Sequence, residues 1–197
     1  MVKTPIHLTF REYLEYDDGT DNCYELVDGK LVPMPPESRL NRVIAKLLGR
    51  HLESFVGIER IELHGLELAV PILAGMPLNR QPDLTVLRVE HLSLIDQLGK
   101  AAITLEMPPP LLVAEVVSPY RNHNDENYQR DYIDKGKQYQ QRGISEYWII
   151  DPQEQKVTVF LLVDGIYQAT EFRGNQQIVS GTFPELKVTV ARVLLAS

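Results

Sequence analysis

Apolar positions recur along the chain at two different periods, and the changes from one to the other mark its elements. Val43, Ile44, Leu47, Leu48, Leu52 and Phe55 return every three or four residues, the spacing of one helix face, and Ser38 just upstream is a residue type that caps helix N-termini. "LTFREYLEY" places Glu12 three residues after Thr9, a capping-box pattern that predicts a short helix. "CYELVDGKLVPM" predicts two strands about Asp28-Gly29, and "KVTVFLLV" with "IYQATEF" predicts two more about Asp164-Gly165. Asp-Gly suits such hairpins because tight two-residue turns require positive φ. Further strands are expected within "RIELHGLELAV", "LTVLRV", "LLVAEVV" and "SEYWIIDP". The stretch from His91 to Pro110 reads as a helical turn followed by a connection. A helix is expected from about Glu126 to Arg142, stopped by Gly143, and a terminal one in "VARVLLAS" after Thr189. Strands and helices mixed in this order indicate an α/β or α+β fold, with helices covering a mixed sheet. No repeat, low-complexity tract or linker interrupts the pattern, so one domain over residues 1–197 is expected.

One residue breaks the apolar pattern. In "LLVAEVVSPY", Glu115 lies among Val113, Ala114, Val116 and Val117. A carboxylate buried in such a strand carries a heavy desolvation cost unless something compensates it. Val117, on the same face, brings no charge. The alternatives are an edge position that reaches water, a lysine from another element, or a metal ion. The following helix offers a lysine, since Asp131, Lys135 and Tyr139 fall at i, i+4 and i+8 along one stripe flanked by Tyr128 and Tyr132. Lys137 lies round the cylinder and reads as solvated. A second carboxylate, Asp83 after Pro82, opens the strand "LTVLRV". Two strand carboxylates and a helix lysine can hold a divalent metal and orient water. Mg²⁺ takes hard oxygen ligands and is often held by one or two carboxylates with substrate phosphate oxygens. The backbone carbonyl of Val116 is a further candidate ligand. Lys135 would steer the attacking water or stabilise charge developing on the phosphate oxygens.

Asp83 in "PD", Glu115 in "EVVSP" and Lys135 in "RDYIDKGKQYQQRGISEYWIIDP" resemble the Uma-two family of restriction-endonuclease-like proteins, within the PD-(D/E)XK nuclease superfamily. The resemblance runs through nearly the whole chain, from "YELVDGKLVPMPPES" to "FPELKVTVARVLLAS". It implies a restriction-endonuclease-like core of mixed sheet flanked by helices, with additional β-hairpins. It also implies Asp83 and Glu115 as metal ligands. In the superfamily's usual E-x-K the lysine stands two residues after the glutamate, where this chain has Val117. The family carries it on the following helix, in agreement with Lys135. Many family members have a histidine at the start of the first long helix, where this chain has Asn41. Glu25 in "YELVDG" matches an acidic position of the family near the site, as an additional ligand or a group behind the ligands. A paired glutamate in a hairpin would fit that position equally well.

Composition limits these readings. The net charge of −7 argues against nonspecific coating of nucleic acid, which runs on excess Lys and Arg, but leaves a local basic groove open. Cys23 is the only cysteine, so no internal disulfide and no cysteine-based zinc site can form. The five histidines form no H-E-x-x-H pair, Ser118 lacks a nucleophile-elbow context, and the glycines gather into no phosphate loop. No apolar run would span a bilayer, and "MVKTPIHLTF" lacks the pattern of a signal peptide, so a cytoplasmic protein without membrane association is expected. Arg121, His123, Arg130 and Arg142 border the site and could contact phosphates or simply be solvated. The expectation is a Mg²⁺- or Mn²⁺-dependent endonuclease acting on nucleic acid, DNA foremost. Cutting both strands would suit a homodimer. The alternative is a catalytically silent nucleic-acid- or protein-binding module that keeps the fold.

Overall fold

The computed structural model describes residues 7–20 and 22–194. Thr9 caps α1 (Phe10–Leu14) through the expected reciprocal bonds with Glu12. β1 (Tyr24–Val27) and β2 (Lys30–Pro33) form the first hairpin, with Asp28 and Gly29 both at positive φ. Ser38 caps α2 (Arg39–Val56), whose buried stripe includes Ile44, Ala45, Leu48, Gly49 and Leu52. Phe55, expected within that stripe, is instead partly exposed at its end and rests against Phe183.

The stretch "RIELHGLELAV" is not one strand. His64 and Gly65 both take positive φ and turn the chain, so β3 (Ile61–Glu62) and β4 (Glu67–Ala69) enter different sheets. β5 (Asn79–Arg80) and β6 (Leu84–Val86) follow, then α3 (Val89–Leu98), β7 (Ala102–Ile103) and β8 (Leu112–Val116). β5 and β7 have two residues each, too few for alternation to reveal them. The helix expected from Glu126 to Arg142 is composite: α4 (Glu126–Tyr128), a π-helical turn at Gln129–Asp134, and α5 (Lys135–Arg142). β9 (Glu146–Asp151), β10 (Lys156–Val163) and β11 (Ile166–Arg173) precede α6 (Val190–Val193), which Thr189 caps. Residues 195–197 of the expected terminal helix, and residues 1–6 of the stretch read for a leader, lie outside the described residues.

The main sheet has the order β11-β10-β9-β8-β6-β3. Its neighbours are antiparallel except β8 and β9, which pair in parallel. A parallel pair needs a long crossover between its strands. Here the crossover is the composite helix. Alternation along β8 divides the core: Leu112, Ala114 and Val116 face α2 and α6, while Val113 and Val117 face the crossover helix with Tyr139, Tyr147 and Ile149. Glu115 shares that second face, so the crossover brings its lysine to the carboxylate.

Candidate active site

Strand register brings the two carboxylates together. Leu84 pairs with Ala114, Thr85 with Val113 and Val86 with Leu112. Continued by one residue, this register sets Asp83 opposite Glu115, and opposite residues of an antiparallel pair present their side chains to one face. Asp83 is buried, and its Oδ2 accepts the Val116 N–H at 2.6 Å. Its Oδ1 lies 3.3 Å from His64 Nδ1. His64 holds φ 54°, a conformation uncommon outside glycine, and so directs its ring at Asp83.

Glu115 is 1% exposed. Its Oε2 accepts from Lys135 Nζ at 2.7 Å and its Oε1 from the Tyr139 hydroxyl at 2.5 Å. The lysine is shared, since Nζ also lies 3.0 Å from Asp131 Oδ1. Asp131 in turn accepts from Arg130 Nε at 2.9 Å and from the Ser118 N–H at 3.0 Å. The stripe Asp131, Lys135, Tyr139 therefore meets Glu115, although the backbone is not α-helical throughout. The Lys135 N–H reaches back five residues to the Arg130 carbonyl, and the Tyr147 hydroxyl donates to the carbonyl of Asp131. π turns of this kind are rare and often lie at functional sites.

Glu25, Asn41, Val116 and Arg130 line the same cleft, whereas Arg121, His123 and Arg142, expected to border the site, do not; Arg142 instead donates to the Thr104 and Met107 carbonyls. The Val116 carbonyl accepts from Asn41 Nδ2 at 3.1 Å and retains a second lone pair. Asn41 is thus buried against the backbone of the strand that carries Glu115. Glu25 pairs with Arg80 Nη1 at 2.7 Å. Arg80 Nε donates to Gln138 Oε1 at 2.8 Å, and Gln138 Nε2 to the Pro77 carbonyl at 2.7 Å. The glutamate is thereby tied to α5.

Three carboxylates surround one ammonium. Burial opposes the charge on Lys135, yet Asp131, Glu115 and Asp83 outweigh it and hold the ammonium above the ordinary lysine range. Burial raises the Glu115 carboxyl to about 7, with Asp83 reinforcing the rise and Lys135 opposing it. This excess of negative charge is what a divalent cation would relieve. The donors are hard oxygens: two carboxylates from adjacent strands and one strand carbonyl. Among the described residues no three His, Cys, Asp or Glu side chains form a metal cage. Mg²⁺ needs none, because it commonly keeps several waters and takes only one or two carboxylates. The residues present fit such an ion.

Asp131 supplies a measurable contribution to folding. Burial pushes its carboxyl up, but Lys135 and Arg130 prevail and hold it at about 2, below the ordinary 3.8. A depressed carboxylate stabilises the fold above its unfolded pKa and loses that contribution as pH falls through the folded one. The shift corresponds to about 2 kcal/mol. Asp131→Asn is accordingly expected to lose about 2 kcal/mol at neutral pH, with the deficit shrinking as pH falls from about 4 toward 2. Urea unfolding across that range checks it; a deficit that does not change with pH would contradict the ion-pair account.

The family model named Uma2, described as "Putative restriction endonuclease", matches residues 10–191. No curated protein matches the chain. Among solved structures, one described as "a putative nuclease belonging to DUF820 from Anabaena variabilis ATCC 29413" is similar, with a TM-score of 0.64 and 19% identity. The match covers 95% of this chain and 98% of that one. At that identity the likeness speaks for the fold, a mixed sheet flanked by helices of the restriction-endonuclease-like kind.

Proposed function

The chain belongs to the Uma2 family of restriction-endonuclease-like proteins, and from that premise we propose that it is a metal-dependent endonuclease hydrolysing phosphodiester bonds, with DNA as its first substrate. The observation that carries this reading is the facing pair Asp83 and Glu115, buried on adjacent strands, with Lys135 held between Glu115 and Asp131. Asp83, Glu115 and the Val116 carbonyl would hold Mg²⁺ or Mn²⁺. When bound, such an ion supplies Lewis acidity toward a phosphate oxygen and makes water a stronger nucleophile at neutral pH. Lys135 stays protonated between its carboxylates. It therefore acts as a fixed positive charge that orients the water and stabilises negative charge on the phosphate, not as a base. His64 and the Val116 N–H hold the Asp83 carboxylate in place. Glu25 lines the cleft and is tied to Arg80, which suits a positioning role for it.

A second reading has one observation in its favour: both oxygens of Glu115 are already engaged by protein donors, as a purely structural ion pair would require. The two are separated by incubating supercoiled plasmid and single-stranded DNA with the protein in Mg²⁺, Mn²⁺ or chelator, beside Asp83→Asn. The expected result is cutting that needs metal and is lost in the folded variant. A folded wild type with neither cleavage nor measurable Mn²⁺ affinity would favour the silent binding module.

A further inference from the structure

The acidic balance of the whole chain hides one concentrated basic surface. Residues 39–50 of α2 contain no Asp or Glu and carry Arg39, Arg42, Lys46 and Arg50. At 100° per residue these four fall within an arc of about 80° on one side of the helix. All four are exposed. None pairs with a carboxylate among the described residues. The stripe also leads somewhere. One cleft is lined by Arg39, Arg42, Lys46 and His64, and a neighbouring one by Arg42, His64 and Asp83. The two share Arg42, His64 and the Glu37 carboxylate, so the basic face of α2 leads past one acidic side chain to Asp83. His64 Nε2 is buried and has no hydrogen-bond partner among the described residues.

We propose that this face of α2 is the track for the nucleic-acid backbone, along which a phosphodiester strand runs as it leads into the cleft at Asp83. The inference rests on the nuclease reading and specifies where that substrate lies. Charge complementarity selects the occupant: a row of unpaired cations of regular spacing fits a row of phosphates. From Arg39 to Arg50 the helix rises about 16 Å. Measured along a duplex axis, one strand passes a phosphate about every 3.4 Å, so a helix lying parallel to that axis spans at most about five. Such contacts position a strand without reading its bases.

The test is fluorescence anisotropy of labelled single-stranded and duplex oligonucleotides without metal, over a series of salt concentrations. Wild type is compared with the combined variant Arg39→Gln, Arg42→Gln, Lys46→Gln, and with Lys137→Gln on α5 as a single-charge control. The substituted side chains are exposed, so the fold is expected to survive, and a melting curve confirms it. If the track exists, the triple variant binds at least about tenfold more weakly, and its log-affinity against log-salt slope is shallower by about 2 to 3, as loss of three phosphate contacts requires. Lys137→Gln changes the slope by less than about 1. Wild type that binds and cuts while the triple variant keeps its affinity and slope overturns the track and leaves the nuclease reading standing. Wild type that neither binds nor cuts overturns both. Capture by anionic lipid vesicles with no oligonucleotide binding would assign the stripe to a membrane surface and likewise overturn the proposal.

Discussion

Replacing Glu115 by Gln is expected to lower metal-dependent cleavage by on the order of 10²-fold to 10³-fold or more, as removal of a group that organises transition-state charge does. The variant is expected to remain folded. Gln retains the shape of the side chain and one oxygen, which accepts from Tyr139 or from Lys135 but not from both, and Lys135 keeps Asp131 at 3.0 Å. What is lost is the negative charge and one of two hard oxygens, which a divalent ion needs, together with one carboxylate partner of Lys135. Cleavage of supercoiled plasmid in Mg²⁺ and Mn²⁺, read beside a melting curve and Mn²⁺ calorimetry, decides the matter. A folded Gln variant that still cuts in a metal-dependent way would remove Glu115 from the ligand set.

Lys135→Met is expected to produce the largest loss of stability, because it takes the cation from two buried carboxylates at once. Removing one partner of a buried pair typically costs about 3–5 kcal/mol. Asp131 keeps Arg130 and the Ser118 N–H, but Glu115 is left with the Tyr139 hydroxyl alone. The deficit should vary with pH in a definite direction. Burial already raises the Glu115 carboxyl to about 7 in the wild type, and loss of the lysine raises it further. A group whose folded pKa lies above its unfolded value takes up protons on folding, so stability falls as pH rises between the two. Above about pH 7 the wild type has completed this loss while the variant continues to lose, by up to about 1.4 kcal/mol per pH unit. Urea unfolding at pH 5 and pH 8 should therefore show the larger gap at pH 8. Equal gaps would mean that Lys135 contributes by packing and not by its charge. Under conditions where the variant is folded, its cleavage should still be reduced by on the order of 10²-fold or more.

Much of this could be read from the chain because it depends on local chemistry. The Thr9 and Ser38 caps, the Asp28-Gly29 and Asp164-Gly165 turns and the apolar run of β8 each carry their signal within a few residues. Asp83, Glu115 and Lys135 could be read for a related reason: a charge beside an apolar strand, or a lysine among tyrosines, conflicts with its immediate neighbours. The conflict is resolved only by a partner elsewhere. His64 gave no such sign, since its contact with Asp83 depends on a positive φ that its sequence neighbourhood does not demand. Arg80 was equally silent, because Glu25 and Gln138 reach it from far along the chain. The π turn escaped a count made at α-helical spacing. The basic stripe of α2 is present in the spacing of its residues, but the overall charge of −7 averages over the chain and masks it.

The parallel pairing of β8 with β9 has a consequence for how the protein comes into being. Asp83 and Glu115 leave the ribosome before Lys135, and the crossover helix has no place to dock until β9 has been made and has paired beside β8. A partly synthesised chain thus holds both carboxylates but not the docked ammonium between them. Joining these parts is a late, non-local event in folding, of the kind that topology makes slow. Asp83, Glu115 and Lys135 come together only once the chain has passed β9, and fragments that end before β9 lack the docked ammonium.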